Sequence, residues 1–258
     1  MKQIREADVQ KAAEHPMTVR GLDRLLTTQR PVVIAHLRSI RRRHPNASPV
    51  DVINILERRY LAAVTTGGAG VGAAAFVPGV GTGVSLVLTG VETAGFLEAT
   101  ALFCQSLAEV HGVAVRDPDR ARSITMGMML GTSSRELLVS LAAQAAGTPV
   151  SRTKFWGDAI GRNVPQSLIG PLAEKIQRAF LHRFARNTAT GAVGRLLPFG
   201  IGAVVGGTAN HMLGRKVVKT SRGAFGTPPT KFPASIEAIE KPKRTIRVRS
   251  EWVSDGKD

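Results

Sequence analysis

No Asp, Glu, Lys, Arg or His interrupts the chain between Tyr60 and Val91. Within this run the glycines crowd together, at Gly67, Gly68, Gly70 and Gly72 and then at Gly79, Gly81, Gly83 and Gly90. A stretch of this length exceeds what a soluble helix needs and approaches what a bilayer demands of a segment that spans or dips into it. The folds open to the chain therefore narrow to two: one that buries the run against protein, and one that offers it to lipid.

The charge around the run bears on that choice. The chain carries a formal net charge of +16 over 258 residues, with a sequence pI near 11.2, which calls for an anionic partner such as nucleic acid or a membrane surface. Lys and Arg outnumber Asp and Glu before Tyr60 and after Phe103, while residues 60–103 hold only Glu92 and Glu98. Basic flanks on both sides of an uncharged segment are the pattern of a hairpin that enters and leaves a membrane on its cytoplasmic side. Soluble basic proteins also bury uncharged segments, so nucleic-acid binding stands as the alternative. One tyrosine and two tryptophans are few for stacking on single strands, and no helix-turn-helix pattern is present.

The punctuation predicts helices throughout. Short charged helices are expected before residue 47, the second led by Pro31 and ending at Arg41, Arg42 and Arg43. Ser48-Pro49-Val50-Asp51 combines a capping hydroxyl, a first-turn proline and a first-turn carboxylate, so a helix starts there and runs into the apolar stretch. Pro78-Gly79 breaks it, and a second helix resumes near Thr82 and ends near His111, which completes a hairpin. Asp117-Pro118 opens a further helix that Gly131 closes, and Ser133 to Glu136 opens another that Gly147 ends. Residues 148–170 read as loop, and Pro171 starts a basic helix to about Arg186 with Ile176, Phe180 and Phe184 at core spacing. A second glycine-rich block, residues 188–213, repeats the outline of the first around Pro198, Gly200, Gly202 and Gly206. After Gly226 the prolines and cations, Lys243 and Arg244 among them, predict a disordered basic tail over 227–258. No alternating apolar run is long enough for a sheet, so the fold class is all-α: a helical bundle built around two glycine-rich apolar helical hairpins, with residues 1–47 as a basic helical lead and 48–226 as the main domain.

Glycine inside a helix costs about 0.5–1 kcal/mol against alanine, so eight of them need an offset. Close approach of helix backbones supplies one, and Gly68 with Gly72, like Gly202 with Gly206, has the four-residue spacing that helices in lipid use. Low aromatic content (5%) extends the same expectation to the core, which should be packed by small residues. The contact residues expected for a membrane or partner are thus Gly68, Gly72, Pro78, Gly79, Gly81, Gly83, Pro198, Gly200, Gly202 and Gly206. Arg41, Arg42, Arg43, Lys243 and Arg244 are those expected at an anionic surface. Glu92 comes too early for the second arm to span, and residues 188–213 contain Arg195, so shallow insertion or tight packing fits better than crossing.

Chemistry is sparse. Gly68, Gly70 and Ala73 match a dinucleotide fingerprint with Glu92 downstream, but a capped helix precedes them where a strand is required. The six histidines lack metal spacing, Asp117 and Asp119 flank a helix start, and Cys104, the one cysteine, has no neighbouring cation in sequence to activate it. No catalytic, metal or cofactor-binding residue is assigned. Glu92 or Glu98 in an apolar setting is the remaining route to an enzyme, one acting on lipid. The first residues alternate in charge and do not read as a secretory signal.

At residues 107–122, from Leu107-Ala-Glu-Val-His111 to Asp117-Pro-Asp-Arg-Ala-Arg122, the chain resembles the EcsC family of bacterial proteins. The resemblance recurs at Leu197-Pro-Phe-Gly-Ile-Gly-Ala-Val-Val-Gly-Gly-Thr-Ala-Asn210, at Gly214-Arg-Lys-Val-Val218, and at the Pro78 to Gly83 turn, and covers about residues 48–226. It implies a non-enzymatic protein associated with the cytoplasmic face of the cell membrane, beside transport or secretion machinery such as an ABC-type transporter. It brings no catalytic residues; Gly206, Gly207 and Asn210 match the family block and are expected to be structural.

Overall fold

A computed structural model describes residues 20–21, 24–26, 30–74, 82–131, 166–191 and 201–237. Among them are six α-helices and no strand: α1 (Arg30–Arg43), α2 (Pro49–Ala74), α3 (Thr82–Val110), α4 (Pro118–Leu130), α5 (Gln166–Gly191) and α6 (Ile201–Phe225), followed by a 3-10 turn at Ala234–Ile236. The all-α expectation holds.

The caps lie where the sequence puts them. Ser48 and Asp51 form a reciprocal box: the Ser48 hydroxyl accepts the Asp51 amide (3.3 Å), while the Asp51 carboxylate accepts the Ser48 amide (2.9 Å) and hydroxyl (2.7 Å). Those bonds hold the Asp51 carboxyl below its ordinary range. Asp117 caps α4 through the amides of Asp119 (2.7 Å) and Arg120 (3.4 Å), with Pro118 at the first helical position. Gly112, at φ 75°, turns the chain out of α3, its amide on Glu109 and that of Val113 on Ala108. The helix expected from Pro171 begins earlier, at Gln166, and leaves Pro171 inside it. Residues 166–170 are therefore helical rather than loop; the helix expected at Ser133 to Gly147 lies outside the described residues.

Packing builds outward from α2, which runs beside α3 and α6; α4 joins α3, α5 and α6, and α1 lies on α3. Among the largest enclosed side chains are Leu37 and Ile40 of α1, Leu97 and Leu107 of α3, Ile124, Met126 and Met128 of α4, and Ile169 and Ile176 of α5. This is a core of large aliphatics, so the expectation of a small-residue core is corrected: aliphatic bulk compensates for the missing aromatics. Tyr60 stacks on Phe103 at 4.6 Å and 9°, and its hydroxyl meets Thr100 at 2.9 Å. Because Thr100 gives its own proton to the Phe96 carbonyl (2.7 Å), Tyr60 is the donor.

The boundaries expected at 47 and 226 do not separate independent pieces. Arg30 of α1 forms a paired contact to buried Glu109 of α3, at 2.5 and 3.2 Å. Beyond Gly226 the chain folds back: Ile236 is fully enclosed, Arg38 donates to the Ser235 carbonyl (3.0 Å), and the Ser235 hydroxyl donates to Glu109 (3.4 Å). Residues 227–237 are thus an ordered strap, correcting the tail's expected start at 227. Phe232 and Ile236 supply the apolar anchorage that the surrounding prolines and lysines obscure.

Candidate functional site

The contacts of α2 fix the register of three helices. Tyr60 meets Thr100 and Phe103 of α3, while Thr65 meets His211 (3.0 Å) and Glu57 meets Arg222 (2.8 and 2.5 Å) on α6. As α2 ascends, its partners on α6 descend in number, so the two run antiparallel; Asn210 of α6, beside the level of Thr65, meets Glu92 of α3, earlier in α3 than the partners of Tyr60, so α3 runs antiparallel to α2 as well. The end of α2 and the beginnings of α3 and α6 are consequently gathered at one end of the bundle, called here the tip. The described parts of the two glycine-rich blocks, in α2 and α6, meet there.

Glycine makes that meeting possible at two places. A Cβ on Gly207 would lie 3.3 Å from the Ala69 Cβ and 3.3 Å from the Thr65 carbonyl oxygen; one on Gly214 would lie 3.0 Å from both Leu61 and Val64 side chains. Both are tighter than ordinary contact, so α6 approaches α2 through these positions. Gly67 and Gly70 of α2 face open space, with no atom within 4 Å of an added Cβ. Gly68 is buried in α2, and Gly72, Gly83, Gly202 and Gly206 lie within helices at the tip. Pro78, Gly79, Gly81, Pro198 and Gly200 lie outside the described residues.

The outward faces change character along each helix. On α6, Thr208, Ala209, Met212 and Leu213 are exposed towards the tip, and Arg215, Lys216, Lys219 and Arg222 below them. On α2, Ala62, Ala63, Thr66, Gly67 and Gly70 are exposed above Arg58; on α3, Val91 and Gly95 stand above Glu98. Met212 is 67% and Val91 63% exposed. A helix in water ordinarily turns charge outward, and these turn small or apolar groups.

Two polar pairs sit within the tip. Asn210 donates its amide to a Glu92 carboxylate oxygen (3.0 Å), joining α6 to α3. Thr65 donates to the Leu61 carbonyl (2.6 Å), which leaves its oxygen to accept from His211 Nδ1. Glu92 is thus half-buried between helices with a donor on it, in place of the bare acid on an inserted arm that the sequence suggested. Neither pair was found by sequence reasoning; the Asn210 match to the family block was the nearest signal.

The arginine cluster expected at an anionic surface falls elsewhere. Arg41 lies over the Phe232 ring, 3.8 Å from its centroid, and so is taken up by the strap. Arg42 and Arg43 are exposed but end α1 a few residues before Pro49, at the base, with the whole of α2 between them and the tip. Lys243 and Arg244 lie outside the described residues. Among the described residues, the cations nearest the uncharged faces are Arg58, Arg59, Arg215, Lys216 and Lys219, none of them conspicuous in the sequence.

The remaining titratable groups are held in structure. Burial pushes the Cys104 thiol up, and burial likewise raises the Tyr60 hydroxyl. Glu57 is enclosed and held by Arg222, beside an open cleft of about 470 Å³ that Asp51, Asn54, Ile55 and Arg58 also line. Residues 64–73 are helical, which removes the strand that a dinucleotide fingerprint requires. Among the described residues no group of His, Cys, Asp and Glu is placed to hold a metal ion, and no helix is long and apolar enough to cross a membrane.

Comparison of the chain with protein-family models, curated proteins and solved structures finds no match in any of the three.

Proposed function

We propose that this chain is a non-enzymatic, membrane-associated accessory protein whose glycine-rich end meets lipid. The observation that carries this reading is that the exposed residues described towards the tip, from Ala62 to Gly70 on α2, Val91 and Gly95 on α3, and from Thr208 to Leu213 on α6, include no Lys, Arg, Asp or Glu. Interfacial proteins of this kind bury an apolar face to part of the depth of the bilayer and rely on nearby cations for attraction to anionic lipid. Three features support it: closely packed helices, a carboxylate sheltered by Asn210, and a polar surface that starts abruptly at Arg58 and Arg215. The likeness to the EcsC family, resting on the segments quoted above, adds a place at the cytoplasmic face beside transport or secretion machinery.

Fractionation of cells tests the reading. The protein is expected to sediment with membranes at low salt and to be released in part by a carbonate wash. Recovery wholly in the soluble fraction at low salt would sink it. Truncation controls should end after Glu237, since a cut after Gly226 removes the packed strap together with the basic tail.

A further inference from the structure

We propose that the tip enters a single leaflet end-on, and that Arg58, Arg59, Arg215, Lys216 and Lys219 form a collar that binds the phosphates of anionic headgroups. This rests on the membrane reading above and adds to it an orientation, a depth and a lipid class.

The level of the collar follows from helix register. Gly214 lies against Leu61 and Val64 and Arg222 meets Glu57, so Arg215 and Lys216 stand at about the height of Leu61 and Tyr60, within a turn of Arg59 and Arg58 on α2. Lys219 is one turn further down α6. Arg58, Arg215, Lys216 and Lys219 are exposed, and Arg59 is half-buried. The α2 and α6 cations are far apart in sequence, and the antiparallel pairing of the two helices brings them within about one turn of each other along the bundle.

The depth follows from helix geometry. Above the collar, α2 continues from Leu61 to Ala74, and α6 reaches back from Gly214 to Ile201. At 1.5 Å per residue each stretch is about 21 Å long. Half of a hydrocarbon core about 30 Å thick is roughly 15 Å, and the headgroup layer adds roughly 5–8 Å. The described stretches of α2 and α6 above the collar, which carry no Lys, Arg, Asp or Glu, match the depth of one leaflet and bring the collar to the phosphates. They are too short to cross, in keeping with the absence of a spanning helix among the described residues.

The acidic groups near this level do not oppose the arrangement. Glu57 is enclosed and engaged by Arg222, and Glu92 is half-buried with Asn210 on it. Glu98 is exposed on α3, and α2 and α6 together present five cations against it. Long basic side chains can hold their stems along apolar surface while their charged ends reach phosphates.

The test uses the full chain and vesicles of phosphatidylcholine alone or mixed with phosphatidylglycerol. The unaltered chain is expected to co-sediment with both and to prefer the mixed vesicles, a preference that fades as salt rises. Combined Arg58→Gln, Arg215→Gln, Lys216→Gln and Lys219→Gln should reduce binding to mixed vesicles to the level seen with phosphatidylcholine, each neutralised cation weakening it roughly fivefold. The pair Arg58→Gln and Lys219→Gln is a milder variant should the fourfold one lose its helical circular dichroism. Full retention of the phosphatidylglycerol preference by a folded collar variant overturns the proposal while leaving the membrane reading intact. Met212→Glu with Leu213→Glu should abolish binding to both vesicles; if it does not, the membrane reading fails first. An environment-sensitive dye placed through Thr66→Cys should report hydrocarbon, and one placed through Asn54→Cys should report water. Water at Thr66 in the bound state overturns end-on insertion. Self-association through the tip with no vesicle binding overturns both.

Discussion

The base and the tip of α2 are built in different ways although one helix runs through both. At the base, Tyr60 stacks on Phe103, Leu56 and Val52 are enclosed, and Glu57 and Glu109 are each held by an arginine from a distant helix. At the tip the neighbours are Gly207 and Gly214, the polar links are Thr65 with His211 and Asn210 with Glu92, and the outward side chains are small. The base satisfies the ordinary demands of a protein in water: bulk inside and charge outside. The tip meets only the first of these, through close backbone approach. What the contrast teaches is that the outward residues, more than the buried ones, distinguish the two halves of the helix.

Removing a charge partner at the base should have the largest effect. Arg30→Met leaves Glu109, whose side chain is 3% exposed, without its guanidinium and should cost about 3 kcal/mol by urea denaturation, at the low end for a broken buried pair because Arg30 is partly exposed. Arg222→Met should cost less, about 1 kcal/mol, since Arg222 is 65% exposed and its pair with Glu57 is screened by water. Equal costs would show that the two pairs are equally enclosed.

At the tip, Gly207→Leu should destabilise by about 1–3 kcal/mol, because the new side chain meets the Thr65 carbonyl and the Ala69 methyl and neither can rotate away. The opposite sign is expected at Gly67→Ala and Gly70→Ala, which face open space: each should gain about 0.5–1 kcal/mol from helix propensity. A loss there, measured as a lower Tm, would show that another surface covers this face of α2.

The smallest effect concerns pH and belongs to the base. His36 is half-buried, and burial first and the nearby Arg59 second hold its pKa below the ordinary 6.5. The unfolded chain therefore binds the proton more readily than the folded one, so this contribution to stability is present above 6.5 and declines as the pH falls below it. His36→Gln should flatten that part of a stability profile.

The local features of the fold were legible because they depend on neighbours in sequence. Ser48 to Asp51, Asp117-Pro118 and Gly131 each specify a helix end through one or two nearby atoms, and α3 begins at Thr82 as expected. Long-range pairing was not legible. Nothing local tells Gly207 that Ala69 will be opposite, and the four-residue glycine spacing draws attention to Gly202 and Gly206 but not to Gly207 and Gly214, where close approaches to α2 are described. The collar escaped for the same reason, since Arg58 and Arg215 meet only through antiparallel pairing. The triple arginine is conspicuous as a run, but nothing local shows that Phe232 returns to lie against Arg41.

The solitary thiol has a practical consequence. Cys104 has no exposed surface, and its environment disfavours the thiolate that alkylating reagents require. The native sequence is therefore ready for site-directed labelling: a cysteine placed at any exposed position of the tip or the base would be the one that reacts, and no protective substitution inside the bundle is needed first.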